Sequence, residues 1–382
     1  MANRKFKPYG WLGAVLLLSA CASGPALQPE ALKEADQAIE QMIAAHQMPG
    51  GVYRVERLGG APYQHAYGQR AVLPAPEVAE ESTVYDAASL TKVVVTAPLI
   101  QILRERGLLD IEAPLQRYLP DCALPAPITL RQLLTHSSGL PPSLPLTDAW
   151  QGRDQALALA CRQTLMAPPG SAFRYSDINY ILLGAIIERV SGKPLQVVAR
   201  EDWLLPLGMA DSGYLPLQRL PRERIAPTEI LAEGQVLRGE VHDPTSRRMG
   251  GVAGHAGLFT TTADLGRLAR TLLRGGVADD GTRVLSAESV ALLSTPQSPA
   301  GLAVRGLGFD IDSTFSRPRG TLYPKTSFGH TGFTGCVLWM DPSSQSYFVL
   351  LANRVHPGPP GNSLPLYGQL GTASARAVQP SR

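Results

Sequence analysis

Apolar residues recur three and four positions apart in several stretches of the chain, and each repeat predicts a helix. In residues 30–47, Leu32, Ala35, Ile39 and Met42 or Ile43 share one stripe, and Pro49-Gly50-Gly51 ends the pattern. Thr91 to Arg106 carries Val94, Ala97, Leu99 and Leu103, with Pro98 placed to kink the helix or remove one hydrogen bond. Thr129 to Thr135 is shorter and opens on a threonine that can cap it. Asn179 to Val190 is the clearest repeat: Tyr180, Leu183, Ile186 and Ile187 form its face, and Gly192 follows as a stop. Thr262 to Arg274 is helical by the same pattern, introduced by Thr261-Thr262.

Strand patterns sit at the two ends. Val52 to Arg57 alternates apolar and polar, and a second strand from Tyr63 to Gln69 makes a hairpin with it. Gly335 to Met340 and Tyr347 to Asn353 are apolar runs separated by Asp341-Pro342-Ser343-Ser344, which is turn chemistry. Strands at both ends and helices between them predict an α+β fold: an antiparallel sheet from the two termini with a helical subdomain inserted at roughly 105–300. A chain of 382 residues is long for one core, so a large domain with a subdomain, or two domains, is expected. From about Pro357 the chain is rich in Pro, Gly and Ser, which predicts a mobile tail over 358–382.

The first twenty residues change the picture. Their only charges are Arg4, Lys5 and Lys7, followed by the apolar run Trp-Leu-Gly-Ala-Val-Leu-Leu-Leu at 11–18, too short to span a bilayer comfortably. That is a secretory signal over residues 1–20. Its ending, Leu18-Ser19-Ala20-Cys21, resembles the bacterial lipobox, which implies a lipidated Cys21 as the mature N-terminus; the competing reading is an ordinary signal with a chance cysteine. Residues 21–30 then form a tether, and the folded domain is expected over 31–357. The resemblance implies a lipid-anchored protein of the bacterial envelope. Alanine after Cys21 implies the outer membrane, facing the periplasm, in a Gram-negative cell. Without the three leader charges the formal net charge falls from +3 to 0, which gives no electrostatic case for nucleic acid. Cys122, Cys161 and Cys336 remain; the compartment allows a disulfide, but the sequence gives no connectivity, and at least one buried free thiol is expected.

Ser89-Leu90-Thr91-Lys92 is the first candidate for chemistry. At the start of a helix, residues three apart face the same way, so Lys92 lies beside Ser89. A serine hydroxyl is a poor nucleophile until a neighbour accepts its proton. Alone the pattern also fits an N-cap serine with a solvated lysine. Two further motifs, Tyr175-Ser176-Asp177 and His330-Thr331-Gly332, follow in order. The three together resemble the class C β-lactamase and low-molecular-mass penicillin-binding-protein superfamily. The stretches from Ile128 to Leu140 and from Phe173 to Gly184 match the same family, and the resemblance spans roughly residues 33 to 357.

The resemblance implies a β-lactamase/transpeptidase-like fold and a division of labour. Ser89 attacks a carbonyl and is acylated, Lys92 helps take its proton, and Tyr175 is the base in acylation and the donor to the leaving group. The backbone N–H groups of Ser89 and Phe333 form the oxyanion hole, and His330, Thr331 and Gly332 line the substrate channel. Two departures stand out: Asp177 replaces the lactamases' asparagine, and His330 replaces their lysine. Both argue against an efficient β-lactamase and occur in the family's esterases and peptidases.

Gly239 to Pro244 and Gly250 to Phe259 look like a subgroup signature, shared with a D-alanyl-D-alanine carboxypeptidase and a muropeptide-cleaving amidase. Its glycines permit close backbone packing. His242, Asp243 and His255 admit a metal site, but the Ser-Lys-Tyr set needs no metal or other cofactor, and His255 is a candidate for substrate contact. The resulting expectation is a monomeric envelope serine hydrolase acting on peptidoglycan peptides or muropeptides. A carboxylesterase, a weak β-lactamase and a non-catalytic penicillin sensor are the alternatives.

Overall fold

The computed structural model describes residues 26–147, 149–232 and 234–379, so Cys21 and the leader lie outside the described residues. The strands are β1 (Gly50–Arg57), β2 (Tyr63–Ala71), β3 (Glu77–Val78), β4 (Tyr85–Asp86), β5 (Phe259–Thr260), β6 (Val304–Arg305), β7 (Asp310–Asp312), β8 (Phe328–Gly332), β9 (Cys336–Asp341) and β10 (Ser346–Ala352). The helices are α1 (Pro29–Ala44), α2 (Ala97–Glu105), α3 (Leu130–Leu134), α4 (Arg153–Ala160), α5 (Asp177–Ser191), α6 (Leu195–Ala199), α7 (Pro244–Arg248), α8 (Thr262–Leu273), α9 (Ala287–Ser294) and α10 (Leu364–Ala377).

Eight strands form one antiparallel sheet in the order β3-β2-β1-β10-β9-β8-β7-β6, so the N- and C-terminal strands meet at β1 and β10. There Tyr53 sits opposite Leu350 and Val55 opposite Phe348. Both faces are covered, which is why β9 and β10 are buried along their whole length rather than on alternate residues. On one face Tyr53, Trp339, Phe348 and Leu350 pack with Ala35 and Ile39 of α1 and Leu366, Tyr367 and Leu370 of α10. On the other, Val52, Leu338, Met340 and Val349 join the larger core that includes Leu265 and Leu268 of α8 and most of α5.

The C-terminal stretch departs from expectation. Residues read as a mobile tail form α10, which packs on α1 and the sheet. Leu366, Leu370, Ala373 and Ala377 repeat at helical spacing, and the Pro, Gly and Ser around them masked that repeat.

The predicted helix from Thr91 contains a π-helical turn, Lys92–Thr96, near its start, and the regular α-helix follows from Ala97. Pro98 lacks the N–H that would bond to the Val94 carbonyl four residues back. The indole N–H of Trp203 donates to that carbonyl at 2.7 Å, so the freed acceptor is satisfied inside the core.

Cys122 and Cys161 form a disulfide that ties the segment before α3 to the end of α4, across 39 residues of sequence, while Cys336 is free and buried. A crosslink across a loop of that length stabilises the fold by roughly 2–4 kcal/mol, mainly by restricting the unfolded chain. The double variant Cys122→Ser/Cys161→Ser is therefore expected to unfold at lower urea concentration by that free energy, with the oxidised and reduced wild type differing by a similar amount.

Candidate active site

The turn carrying Ser89 is fixed from both sides. β4 pairs with β5, placing Tyr85 opposite Thr260 and Asp86 opposite Phe259. The Asp86 carboxylate then accepts the N–H of Ala88 at 2.8 Å and of His242 at 2.7 Å. Burial pushes the Asp86 carboxyl above its ordinary value, while the bonds from His242 and Ala88 pull the other way. Ala88 has a φ of +46°, a left-handed conformation that costs an alanine on the order of 1–3 kcal/mol and persists where the surroundings hold it. Successive bonds from Leu90 N–H to the Ala87 carbonyl and from Thr91 N–H to the Ala88 carbonyl wind the chain into the π turn.

One turn on, the Lys92 Nζ lies 3.0 Å from Ser89 Oγ. Lys92 is wholly buried, and its ammonium also donates to the His255 carbonyl at 3.0 Å and pairs with Asp177 Oδ1 at 2.8 Å. The same ammonium stands 5.1 Å from the centre of the Tyr175 ring. Burial alone pulls the Lys92 pKa down; attraction to Asp177 and Tyr175 more than offsets it, and the group is held above its ordinary value. Lys92 is thus a cation, and Asp177 its counter-ion.

Tyr175 and Asp177 arrive together at the N-terminus of α5. His136 fixes this entry: its Nδ1 accepts the Ser176 N–H and the Asn179 Nδ2–H, each at 3.1 Å. Ser138 Oγ donates to Asn179 Oδ1 at 2.6 Å, and Asp177 N–H donates to the Pro142 carbonyl at 2.7 Å. The His136 ring lies 4.4 Å from that of Tyr175. The stretch from Ile128 to Leu140 therefore acts as the frame of the Tyr175 segment.

β8 supplies the opposite wall. A Cβ on Gly332 would stand 2.4 Å from the Ala87 carbonyl, so only glycine lets this strand lie against the Ser89 turn. Thr334 Oγ1 donates to the Asp86 carbonyl at 2.7 Å, locking the β8–β9 turn to the same residue that holds Ala88. Thr331 is half-buried, and its carbonyl accepts from His330 Nδ1 at 2.8 Å. The His330 ring stands 5.9 Å from that of Tyr175. Burial, then the charges of Arg305 and Lys92, hold His330 well below the ordinary imidazole value, so it is neutral where a lysine was the family's choice. The Phe333 ring is exposed and stacks on His242 at 5.5 Å.

The glycine-rich segment closes the site from behind. A Cβ on Gly254 would come within 2.1 Å of the Tyr180 carbonyl, so this glycine allows the loop to lie flat on α5. His255, expected to touch substrate, has a buried ring with Nε2 2.8 Å from Asp243 Oδ1, and its carbonyl accepts from Lys92. His242 faces Glu229 instead, 3.8 Å away.

Four side chains around the site escaped the sequence reading, Asp86, His136, Arg305 and Phe315. Arg305 is fully buried and paired with Asp310 at 2.9 Å. Asp86, three residues before Ser89, and His136, inside a stretch already singled out, carried a positional signal; Arg305 carried none. The exposed ring of Phe315 lies 5.5 Å from that of Tyr175.

Ser-x-x-Lys, Tyr-x-Asp and His-Thr-Gly thus converge beside one buried cation. Residues 35–372 match the family described as β-lactamase. The chain belongs to the β-lactamase family. It is a serine-hydrolase-type member of that family with the β-lactamase/transpeptidase-like fold. Among similar proteins, one named "Putative D-alanyl-D-alanine carboxypeptidase" from Escherichia coli (strain K12) is 33% identical over 323 residues, covering 76% of this chain and 73% of its own. The N-acetylmuramyl-L-alanine amidase of Bacillus subtilis (strain 168) is 30% identical over 360 residues, covering 85% and 81%. Two solved structures share the fold. EstCE1, a hydrolase with promiscuous acyltransferase activity, superposes with a TM-score of 0.73 at 22% identity, covering 91% of this chain and 99% of that one. The octameric penicillin-binding protein homologue from Pyrococcus abyssi gives 0.68 at 24% identity, covering 88% and 76%.

The buried histidines of this family member set a pH dependence. Burial, then the charges of Arg305 and Lys92, hold His136 well below its ordinary value, as they do His330. Below pH ~6.5 the unfolded chain binds protons at these positions that the native state refuses, so this part of the stability is present above that pH and lost below it. Below pH ~6.5 the unfolding free energy is expected to fall with a slope that approaches about 1.4 kcal/mol per pH unit for each such histidine. Urea titrations should show a slope shallower by one such share in His136→Gln.

Proposed function

We propose that this chain is an envelope serine hydrolase that forms an acyl-enzyme at Ser89 with peptidoglycan stem peptides or muropeptides, as a carboxypeptidase or an amidase. The observation that carries the reading is the 3.0 Å contact between Ser89 Oγ and a wholly buried Lys92 cation, beside Tyr175. The names of the carboxypeptidase and amidase relatives supply the substrate class.

In this mechanism Lys92 donates to Ser89 Oγ and, already charged, takes no proton from it. The phenolate form of Tyr175, beside the Lys92 ammonium, then carries the proton: its oxygen takes it from Ser89 as the Ser89 Oγ–carbonyl bond forms, becoming the phenol, and returns it to the leaving amine as the scissile C–N bond breaks. Water hydrolyses the ester of Ser89 by the reverse path. Ser89 N–H and Phe333 N–H make no hydrogen bond among the described residues, and both are assigned to the oxyanion that forms between them. The unit proposed to act is the monomer. Cys21 is proposed as the lipid attachment that holds it at the outer membrane, beside its substrate.

A fluorescent penicillin or fluorophosphonate is expected to label the wild type and to leave Ser89→Ala unlabelled; label retained in that variant overturns the acyl-enzyme. Turnover of muropeptides should fall at least about 10³-fold in Ser89→Ala. Nitrocefin hydrolysis should be slow or absent beside it. Metabolic palmitate labelling, lost in Cys21→Ser, checks the anchor.

A further inference from the structure

The two positions at which this chain departs from the lactamase motifs, Asp177 and His330, both bring hydrogen-bond acceptors into the site. Of the Lys92–Asp177 pair, the lysine side chain is 1% exposed and the aspartate 27%, so the anion is the outer member. Oδ1 is engaged by Lys92, and Oδ2 has no partner among the described residues. At His330, Nδ1 faces a carbonyl 2.8 Å away and must carry the hydrogen, which leaves Nε2 as an acceptor, also without a partner there. The cations that act on His330 are Lys92 and Arg305. Both are committed, Lys92 to Asp177, and Arg305 to Asp310 and to the Gly308 carbonyl. A substrate carboxylate arriving here meets lone pairs and no available charge from either. An ammonium or amide N–H meets its complement.

We infer that the acyl part of the substrate carries a primary ammonium close to the scissile carbonyl, bound by Asp177 Oδ2 with His330 Nε2 beside it, and that an acyl group bearing a carboxylate there is rejected. Asp177 is then the specificity-determining residue, and the substrate class is amino-bearing acyl compounds. Within peptidoglycan, this selects fragments with a free amine on the acyl side of the cleaved bond. The inference rests on the acyl-enzyme at Ser89 proposed above.

Three p-nitroanilides separate the alternatives at pH 7.5: D-alanine p-nitroanilide with its free ammonium, its N-acetyl form, and its N-succinyl form. Muropeptide turnover is measured in parallel. In the wild type, kcat/KM for the free ammonium is expected to exceed that for the succinyl compound by about tenfold or more, the acetyl form lying between. In Asp177→Asn the absolute rates move together with any change at Lys92, but the ammonium-to-succinyl ratio is expected to collapse to within about threefold. His330→Lys, which restores a cation, should shift the ratio toward the succinyl compound, and thermal melts report whether each variant is folded.

A wild-type preference for the succinyl form, or a ratio unchanged in a folded Asp177→Asn, overturns the inference. So does failure to cleave any of the three while muropeptides are still turned over, and that result leaves the acyl-enzyme reading standing. Loss of muropeptide turnover and of Ser89 labelling in the wild type removes the acyl-enzyme reading itself.

Discussion

A single buried ammonium organises this molecule. Taking a charge out of water costs several kcal/mol even after relaxation, and the cost is met only if partners are supplied from every side. Lys92 finds three, and each comes from a different part of the chain: the hydroxyl of its own turn at Ser89, the carbonyl of His255 in the glycine-rich loop, and the carboxylate of Asp177 at the head of α5. The three segments are brought together around one atom. Gly254 must lie against α5 for the His255 carbonyl to reach, and α5 must start where it does for Asp177 to reach.

The walls around the cation are held by residues that never touch it. Asp86 is the clearest case. Its carboxylate holds the strained Ala88 and the His242 N–H, and its carbonyl holds Thr334, one residue past Phe333. One buried acid thereby sets the distance between the Ser89 turn and the β8–β9 turn, the two backbone segments that flank the nucleophile candidate. His136 does the same for the third wall, through Ser176 and Asn179. Its own φ of +58° shows that this position is over-determined by the frame around it.

What the sequence revealed followed from periodicity and from motif order. The β1–β2 and β9–β10 hairpins and the helix after Tyr175 were readable because their apolar spacing is unbroken, and the turn at Asp341 has one chemical meaning. α10 was hidden by its proline, glycine and serine content, although Leu366 and Leu370 keep helical spacing. The π turn at Lys92 leaves no periodic trace over five residues; Pro98 marked the place, and only the fold supplied Trp203 to complete it. Arg305 and the pairing of Cys122 with Cys161 depend on contacts between distant segments, which local pattern does not encode. Asp177 was visible as a departure, but its partner was not. Read from the motif, it lacked a donor for substrate; in the fold it is the counter-ion of Lys92.

That pairing has a consequence for the direction of proton flow. Without an acid at position 177, the largest attraction that opposes the desolvation of Lys92 is missing, leaving that of Tyr175, and burial weighs more heavily toward a neutral amine that can accept a proton. With aspartate there, the attraction outweighs the burial and the amine keeps its own proton. In the proposed acylation the lysine is a fixed charge 3.0 Å from Ser89 Oγ and beside the Tyr175 ring, and the moving proton goes to another oxygen. Asp177 also pairs with the Lys92 charge that a carboxylate-bearing ligand would otherwise meet. Under the proposed mechanism and substrate preference, one substitution therefore couples two properties that are separate in principle, the identity of the base and the charge preference of the pocket. A return to asparagine alters both at once, and only a ratio between matched substrates divides one effect from the other.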